Sequence, residues 1–440
     1  MVRVAARLAA ISIGAVVGLA LAFQPSDAQT PPAGTVAFTG ARIIDGTGKA
    51  PIEGGTIVVT NGRITAVGPS ASVTVPAGAT RINAAGKTII PGLINAHGHV
   101  STDDYTKLPR REHMMNILKA YAEYGVTTTT NLGSYEIVDE TESLKIRDEQ
   151  RKNGHDRARL YDAGENAIGK TPEEARQSVA RLADVKVDLI KYHINGNAKD
   201  MNPETYGALV DEAKKRGFMT TVHIFNLRDA KGAVEKGTNA IVHSVRDQNV
   251  DQELIDMMKR NNVGYVPTLT RDLSVFVYEN EPAFWREPFF QKGMYVYKTQ
   301  VDILKDPAEQ QKARTSPQVQ RIKVALEQAK RNLKLLSDGG VLIGMGTDTA
   351  SPNDLGRWPG YFEHTEMELM VASGMTPMQV IMAATGNAAR ILRLDNIGTI
   401  ATGKEADLVV LNANPLDNIR NTRQIDSVWI AGRRWTGTGR

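Results

Sequence analysis

Eight short apolar runs alternate with amphipathic stretches between residues 89 and 395, and this alternation constrains the fold more than any other feature. Short apolar runs are typical of buried strands, whereas apolar residues at helical spacing predict helices. The first predicted strand continues from the run 87–90 towards His97, and the other seven are 126–133, 158–164, 187–194, 218–223, 240–243, 263–269 and 341–348. The predicted helices are 112–124, 137–153, 172–183, 203–216, 227–235, 252–261, 318–337 and 362–372.

Eight strands, each followed by a helix, predict an α/β fold of the (β/α)8 TIM barrel type over residues 89–396. With 440 residues, 41% of them hydrophobic, the chain can bury such a core and still form a second, smaller domain. A doubly wound open sheet is the alternative. No glycine-rich phosphate loop follows the first predicted strand, so the sequence favours the barrel.

The two ends of the chain, residues 35–88 and 397–440, have a sequence pattern typical of short strands separated by turns. Asn61-Gly62 between two β-rich runs is typical of a hairpin. Further β-rich runs lie at 406–411 and 425–432. Neither end is long enough to form a stable sandwich alone, so we expect them to build one small β-sandwich domain together.

Residues 1–28 are typical of a signal peptide, because two arginines precede an apolar run from Leu8 to Phe23 and Ser26 and Ala28 suit a cleavage site. An uncleaved membrane anchor is the alternative. The apolar run is shorter than the ~20 residues needed to span a bilayer, so we expect no stable anchor. The sequence thus predicts export to a bacterial periplasm or the cell exterior.

The charge and cysteine content exclude several classes of function. The net charge is +4 and the basic residues are scattered, which does not fit a nucleic-acid partner. The chain has no cysteine, which excludes disulfides, cysteine-bound zinc and a lipidated cysteine.

Two histidines separated by one glycine, His97 and His99, follow the first predicted strand. Residues i and i+2 of a strand point to the same side, so these imidazoles can converge on one metal ion. Three other predicted strands end in His223, His243 and Asp348. Active sites of barrels lie at the carboxyl ends of their strands. Any one of these histidines could be a core residue, but together with Asp348 they predict a metal site.

Lys191 lies within an apolar run of the fourth predicted strand. A buried lysine is costly unless it is neutralised or paired, and a salt bridge to Asp188 or Asp162 is one solution. Desolvation would alternatively lower its pKa. The neutral amine could then add CO₂, and the resulting carbamate could bridge two metal ions as a carboxylate does.

Three sequence motifs carry a family resemblance: PGLINAHGH at 91–99, HTEMELMVASGMTPMQVIMAATGNAARIL at 364–392, and IGTIATGKEADLVVLNANPL at 397–416. With them, the chain over 36–432 resembles metal-dependent amidohydrolases of the branch that contains imidazolonepropionase-like enzymes and Xaa-Pro dipeptidases. The resemblance implies two divalent ions, and imidazole and carboxylate ligands favour Zn²⁺. It also implies a metal-binding set of His97, His99, carboxylated Lys191, His223, His243 and Asp348.

In this resemblance, His97 and His99 bind the more buried metal and carboxylated Lys191 bridges the two ions. His223 and His243 bind the more exposed metal, while Asp348 ligates the buried one and acts as the catalytic base. Family members that lack the lysine hold one metal. Where the family often has small residues after the lysine, this chain has Tyr192 and His193. Tyr192 and His193 are expected substrate contacts, with a structural role as the alternative for His193. Thr268, at the end of the seventh predicted strand, and Arg271, just past it, are the other expected contacts.

A long segment, 270–317, separates the seventh predicted strand from its helix. It contains eight aromatic residues: Phe276, Tyr278, Phe284, Trp285, Phe289, Phe290, Tyr295 and Tyr297. An insertion on the catalytic face of a barrel is often a lid, and this one suits a substrate with an aromatic or apolar group. Alternatively, the aromatic residues form a satellite core or contact another subunit. We expect a homo-oligomer.

These observations predict an exported, binuclear metal-dependent hydrolase that cleaves an amide C–N bond of a small molecule, such as a dipeptide or an N-acyl amino acid. One alternative is that the same site opens an ester, lactone, carbamate, urea or cyclic amide. Another is a periplasmic binding protein that has lost catalysis. The complete ligand set argues against this loss.

Overall fold

The structure is a computed structural model that describes residues 34–437 except 102–104, 106, 135, 154, 198–199 and 353. The predicted signal peptide, residues 1–28, lies outside the described residues. None of the helices in the described part of the chain is both long and apolar enough to cross a membrane.

Strands occupy both ends of the chain and alternate with helices between them. In chain order they are β1 (Val36–Ile43), β2 (Ile52–Thr60), β3 (Arg63–Pro69), β4 (Thr80–Asn83), β5 (Thr88–Pro91), β6 (Leu93–Gly98), β7 (Val126–Asn131), β8 (Arg159–Asp162), β9 (Ile190–His193), β10 (Thr220–His223), β11 (Ala240–Val242), β12 (Gly264–Val266), β13 (Leu342–Ile343), β14 (Leu408–Leu411), β15 (Ile425–Ile430) and β16 (Arg433–Arg434).

The helices lie mainly between the strands β6 and β14. They are α1 (Arg110–Glu123), α2 (Ile137–Asn153), α3 (Pro172–Asp184), α4 (Pro203–Lys215), α5 (Leu227–Glu235), α6 (Gln252–Arg260), α7 (Leu269–Leu273), α8 (Pro288–Gln291), α9 (Met294–Leu304), α10 (Pro307–Thr315), α11 (Pro317–Asp338), α12 (Tyr361–Ala372), α13 (Pro377–Ala383) and α14 (Gly386–Ile391). Short 3₁₀ helices occupy Ser70–Ser72, Ala283–Arg286 and Ile419–Arg423.

The eight strands β6–β13 pair in parallel, in a sheet of three (β6–β8) and a sheet of five (β9–β13). Backbone hydrogen bonds also join the two sheets at both seams. The amide of Ala96 donates to the carbonyl of Met345 at 2.9 Å, and the amide of Asp188 donates to that of Asp162 at 2.8 Å. Strands β7–β13 correspond to seven predicted apolar runs, and β6 lies in the stretch that was expected to lead to His97. The α/β class is confirmed.

Helices cover these parallel strands because their apolar faces match those of the strands. Helix α4, for example, starts at the N-cap Asn202, whose side chain accepts from the amide of Thr205 at 2.8 Å, and buries Leu209 and Val210. An N-cap of this kind satisfies a backbone amide that the helix leaves unpaired. Parallel pairing places the carboxyl ends of the strands within each sheet on the same side, where the candidate site lies.

The terminal segments form one eight-stranded sheet in the order β16-β15-β14-β5-β1-β2-β3, with β4 paired to β1. Strand β14 pairs antiparallel with β5, so the two ends of the chain complete the same sheet. The run 87–90, expected to lead into the first strand of the parallel set, belongs instead to this terminal sheet. The boundary at 88 is therefore about three residues too early, because Gly92 interrupts the run before β6 begins.

The predicted sandwich is a single sheet that bends over itself. Phe38 of β1 and Trp429 of β15 are separated by two strands in the sheet order, yet their rings pack edge to face at 5.0 Å. Strand β1 pairs with β4 over its first half and with β5 at its end. This exchange of partners turns the sheet, and its inner face then buries a shared apolar core.

The segment 270–317 contains helices α8, α9 and α10 rather than an open loop. Four of its aromatic residues, Tyr278, Trp285, Phe290 and Tyr297, are buried in one cluster. This cluster also includes Trp358 and residues of α12. The packing favours the satellite-core alternative for these four side chains, because their rings pack against one another within this buried cluster.

Candidate metal centre

The side chains of His97, His99 and Asp348 converge at the carboxyl ends of β6 and β13. The Nε2 atoms of His97 and His99 lie 3.1 Å and 2.9 Å from the same atom, Oδ1 of Asp348. All three residues are buried, and their potential ligand atoms lie within 4.8 Å of one another. The two histidines share a face because they are separated by one residue in an extended segment, as predicted.

The backbone brings Asp348 to the histidines. The amide of Asp348 donates to the carbonyl of His97 at 2.7 Å, which joins the end of the eighth parallel strand to the first. Asp348 itself has a left-handed backbone with φ of 61°. A non-glycine residue in this region is uncommon and frequently marks a functional site, where surrounding contacts maintain the conformation.

Four histidine rings form a row that continues from this group across the strand ends. The ring centroids of His97 and His243 are 4.5 Å apart, and those of His243 and His223 are 4.3 Å apart. His193 stacks on His223 at 4.8 Å. The strand ends therefore bring together the five predicted residues His97, His99, His223, His243 and Asp348, with His193 beside them.

Burial keeps the imidazoles of this row neutral. Burial and neighbouring Lys191 together lower the pKa of His97 to about 3, although Asp348 opposes the shift. Burial also holds the pKa values of His193, His223 and His243 well below the ordinary value. A neutral imidazole is the form that binds metal ions, so these rings are in the state that a metal site requires.

Lys191 lies on β9 with 1% of its surface exposed. Burial lowers its pKa to about 7, while Asp348 opposes that shift and Arg271 adds to it. The alternative of a salt bridge to Asp188 is not observed, because Asp188 pairs with Arg147 at 3.1 Å and with Arg151 at 2.5 Å. The lowered pKa favours the neutral amine, which is the form that adds CO₂.

The ligand set fits a divalent cation. Buried imidazole nitrogens and a carboxylate oxygen are the donors that Zn²⁺ and related ions prefer. The Nδ1 atom of His97 is buried and has no hydrogen-bond partner among the described residues. Apolar packing does not explain why two buried imidazoles approach one carboxylate and further histidine rings continue from them.

Two arginines that contact Asp348 complete the site. Arg357 Nη1 lies 2.5 Å from Asp348 Oδ2, and Arg271 Nε lies 3.4 Å from the same oxygen. Burial of Asp348 would raise its pKa, but Arg357 and His97 outweigh this and hold the pKa well below the ordinary value. Arg271 was a predicted site residue. Arg357 was missed, because an arginine in a loop rich in glycine and proline resembles a solvated surface residue.

Glu363 on α12 connects the ends of β6 and β13 behind the ligands. Its Oε1 accepts from Asn95 Nδ2 at 2.7 Å, Thr347 Oγ1 at 2.7 Å and Thr349 Oγ1 at 2.8 Å. These donors lie two residues before His97 and on either side of Asp348. Burial raises the pKa of Glu363 to about 7, while the threonine hydroxyls oppose the shift.

Glu366, one helical turn further along α12, holds the segment after β12. Its carboxylate accepts from the amides of Leu269 and Thr270 and from the Thr270 hydroxyl, each at 2.7 Å. This segment begins with Thr268, whose hydroxyl lies 2.8 Å from Nδ1 of His243. Both glutamates could have been noticed in the sequence, since they lie among the apolar positions of an otherwise buried helix face.

Of the four predicted substrate contacts, three lie at the site and one, Tyr192, points away from it. The expectation that Tyr192 contacts substrate is wrong. Its side chain points to the opposite side of β9 from Lys191, towards the helix layer, and stacks on Tyr206 of α4 at 6.3 Å with no exposed surface. Thr268 reaches the site, but its hydroxyl contacts His243, so its observed contact orients a ligand residue. His193 and Arg271 lie beside the ligand set.

We expect Glu363→Gln and Glu366→Gln each to weaken metal binding and to lower the free energy of unfolding by about 2 kcal/mol. Each glutamate accepts three or more donors, whereas a glutamine amide turns a donor towards one of them. Metal titration and thermal unfolding measure the two effects. Glu368→Gln on the same helix is the control, because Glu368 pairs with Arg420 and Arg423. Unchanged metal affinity in the Glu363→Gln and Glu366→Gln variants would contradict the role of these glutamates in positioning the metal ligands.

The chain is also similar to known proteins in sequence and structure. The family model described as "Amidohydrolase family" matches residues 88–435. Ochratoxinase of Aspergillus niger is 24% identical over 294 residues, which cover 63% of this chain and 52% of that protein. The chain thus matches about half the length of this relative.

Two other similar proteins are matched over most of their length. Enamidase of Eubacterium barkeri is 26% identical over 392 residues, which cover 86% of each protein. A solved structure of a provisionally assigned prolidase from Bifidobacterium longum is 28% identical, with a TM-score of 0.75 over 93% of this chain and 97% of that one.

Proposed function

The chain belongs to the amidohydrolase family, and from this premise we propose that it is an exported, metal-dependent hydrolase of the imidazolonepropionase-like and Xaa-Pro dipeptidase-like branch that cleaves an amide C–N bond. The convergence of His97 and His99 on Asp348, with the His243 and His223 rings beside them, carries the proposal. A buried set of this composition is suited to holding divalent metal ions.

The catalytic framework in this proposal is a closed (β/α)8 barrel formed by β6–β13. Parallel pairing within the two sheets and backbone hydrogen bonds at both seams support closure. The proposed ligands then lie at the carboxyl ends of the strands, where barrel enzymes place their chemistry. The terminal sheet is the accessory domain.

Two divalent ions, which we propose to be Zn²⁺, would be held by six residues. These are His97, His99, carboxylated Lys191, His223, His243 and Asp348. When bound, the ions would lower the pKa of a water and polarise the scissile carbonyl. Lys191 has the burial and the lowered pKa that formation of a carbamate requires. The lowered pKa values of His97, His223 and His243 also suit this role.

Asp348 moves the proton in this mechanism. Its carboxylate accepts a proton from the attacking water and returns it to the departing nitrogen as the C–N bond breaks. The contacts of Asp348 fix its position for both steps, because the histidines approach Oδ1 and Arg357 approaches Oδ2. Thr268 keeps His243 in one ring orientation through its hydroxyl.

An amide is the favoured substrate class because ochratoxinase, enamidase and a provisionally assigned prolidase are among the proteins that the chain resembles. His193 and Arg271 border the ligand set and are the proposed substrate contacts. A dipeptide or an N-acyl amino acid is consistent with substrate contacts from His193 and Arg271. Hydrolysis of an ester, lactone, carbamate, urea or cyclic amide by the same groups is the second candidate.

Export and assembly are also part of the proposal. The apolar run from Leu8 to Phe23 and the small residues at 26 and 28 support cleavage after Ala28. Sequencing of the N-terminus of protein recovered from a bacterial periplasm tests this, and a start at Gln29 is expected. A homo-oligomer is proposed as well, and its mass in solution can be measured by light scattering.

The test of the function is turnover of a substrate panel by the zinc-loaded protein, followed by mass spectrometry of the products. We expect Xaa-Pro dipeptides or N-acyl amino acids to release a free amine, and a chelator to abolish this release. Cleavage of esters or ureas alone would favour the second candidate. Ligand binding without turnover of any compound would instead indicate a binding protein.

A further inference from the structure

A cleft of about 510 Å³, the outer cleft, lies outside the ligand set between α1 and α9. Residues of α1 and of the segment before it line one side, and residues 294–296 and 298–300 of α9 line the other. Leu108 and Lys298 belong to this lining and are exposed. The outer cleft therefore reaches the surface of the protein.

A smaller space, the inner chamber, continues from the outer cleft towards Asp348. Three residues line both spaces: His113 of α1 and Val296 and Gln300 of α9. The chamber is also bordered by Arg357, whose Nη1 lies 2.5 Å from Asp348 Oδ2. Its volume of about 20 Å³ is sufficient for one water molecule but not for a substrate.

The lining of the inner chamber includes two buried polar atoms without a protein partner. Ser101 Oγ and Arg357 Nε have no hydrogen-bond partner among the described residues, and both residues are buried. Ser351 contributes a further hydroxyl to the lining. A buried polar group without a protein partner is costly, and an ordered water with two to four polar contacts is a common solution. The chamber is thus suited to holding water.

Direct hydrogen bonds fix the walls of the chamber. Gln300 Oε1 accepts from the amide of Gly356 at 2.9 Å, and the Tyr297 hydroxyl donates to the carbonyl of Pro359 at 2.6 Å. These contacts join α9 to the loop that carries Arg357. The chamber is therefore a feature of the packed fold and does not depend on a surface side chain in one orientation.

Hydrolysis requires water to reach the site while the substrate is bound. Each turnover consumes one water molecule, whose hydroxide adds to the carbonyl carbon and whose proton goes to the departing nitrogen as the C–N bond breaks. A substrate at the strand ends displaces bulk water from the ligand set. A second route, too narrow for the substrate, would allow this water to be replaced without release of the substrate.

We propose that the outer cleft and the inner chamber form a side channel that supplies water to the Asp348 side of the site. Val296 lies where the two spaces meet and is the proposed narrow point. This inference rests on the proposed hydrolase function and adds the route of its second reactant. Ser101 and Arg357 would hold the last water before Asp348.

Hydroxyl-radical footprinting of the zinc-loaded protein detects water in the chamber. The protein is mixed rapidly with water enriched in a heavy oxygen isotope, and X-rays then form radicals from water that contacts a side chain. Trp358 borders the chamber and is only 1% exposed, so we expect it to acquire the heavy isotope from water in the channel. Trp285 is buried in the same aromatic cluster but does not line the chamber, so it should remain unlabelled.

Val296→Phe should close the passage, because a phenyl ring is larger than an isopropyl group. Labelling of Trp358 should be lost, and kcat should fall about tenfold because arrival of water then limits turnover. KM should change little, since the substrate does not enter by this route. Val296→Met fills part of the same passage with a flexible side chain, and it decides the result if Val296→Phe does not fold.

Thr299→Phe is the matched control, because Thr299 lines the outer cleft but not the chamber. Its labelling and kcat should equal those of the unaltered protein. The channel is overturned by an unlabelled Trp358 in the unaltered protein, by labelling that survives both Val296 substitutions, or by loss of labelling with unchanged kcat. If no amide is cleaved, the labelling alone decides whether water uses this route, and failure of the hydrolase proposal is recognised separately.

Discussion

Asp348→Asn is expected to lower kcat/KM by about 10²- to 10⁴-fold, the range typical of a lost general acid–base group. The asparagine amide has nearly the same shape as the carboxylate, but it cannot accept a proton from water and return it to nitrogen. It also removes the negative charge that His97, His99 and Arg357 approach. Steady-state kinetics of the zinc-loaded variant measure the loss.

Asp162→Asn is the control for Asp348→Asn. Asp162 is a fully buried carboxylate at the end of β8, where it accepts from Asn131 at 3.1 Å and from the amide of Gly164 at 2.8 Å. Its replacement should lower thermal stability but keep turnover within about tenfold of the original, because it lies outside the ligand set. Circular dichroism should show retained secondary structure in both variants. Full activity of Asp348→Asn would remove this residue as the base.

Lys191→Met is expected to lower the metal content from two ions to one and kcat/KM by at least about 10²-fold, since bridging ligation is lost. Methionine has a similar length and fills the same buried volume, so the strand should remain packed. Metal analysis measures the stoichiometry. Intact-protein mass spectrometry of the unaltered protein under mild conditions should show a population heavier by one CO₂.

Tyr192→Phe is the matched control for Lys191→Met, because Tyr192 is the next residue of β9 but points to the opposite side. Metal content and turnover should be unchanged in this variant. One metal ion per chain in the unaltered protein, together with an unmodified Lys191, would instead favour a mononuclear hydrolase.

Much of the architecture could be predicted because it depends on local pattern. Apolar runs of strand length locate β6–β13, and the spacing of His97 and His99 places both imidazoles on one side of the chain. Asp348 was identified because it ends the last apolar run. These signals are local. Parallel pairing of the strands then places the residues at the strand ends on the same side of the fold.

The errors come from features that depend on partners distant in sequence. The run 87–90 is apolar and extended in either domain, and its pairing with β14 decided which sheet it joins. Tyr192, expected to contact substrate, is the exception, because strand alternation is a local rule and turns this side chain away from Lys191 and towards Tyr206. For the aromatic segment 270–317, the sequence left a lid, a satellite core and a subunit contact open. Packing against α12 favoured the core for its four buried members.

The sequence by itself determined the alternation of strands and helices, the positions of the histidines and Asp348 at strand ends, and the burial of Lys191, because each follows from residue type and short-range spacing. Only the tertiary structure placed Arg357 on Asp348 and Glu363 behind it. Glu363 meets Asn95 across 268 residues of chain. Contacts of this kind depend on how the elements pack and leave no periodic signal in the sequence.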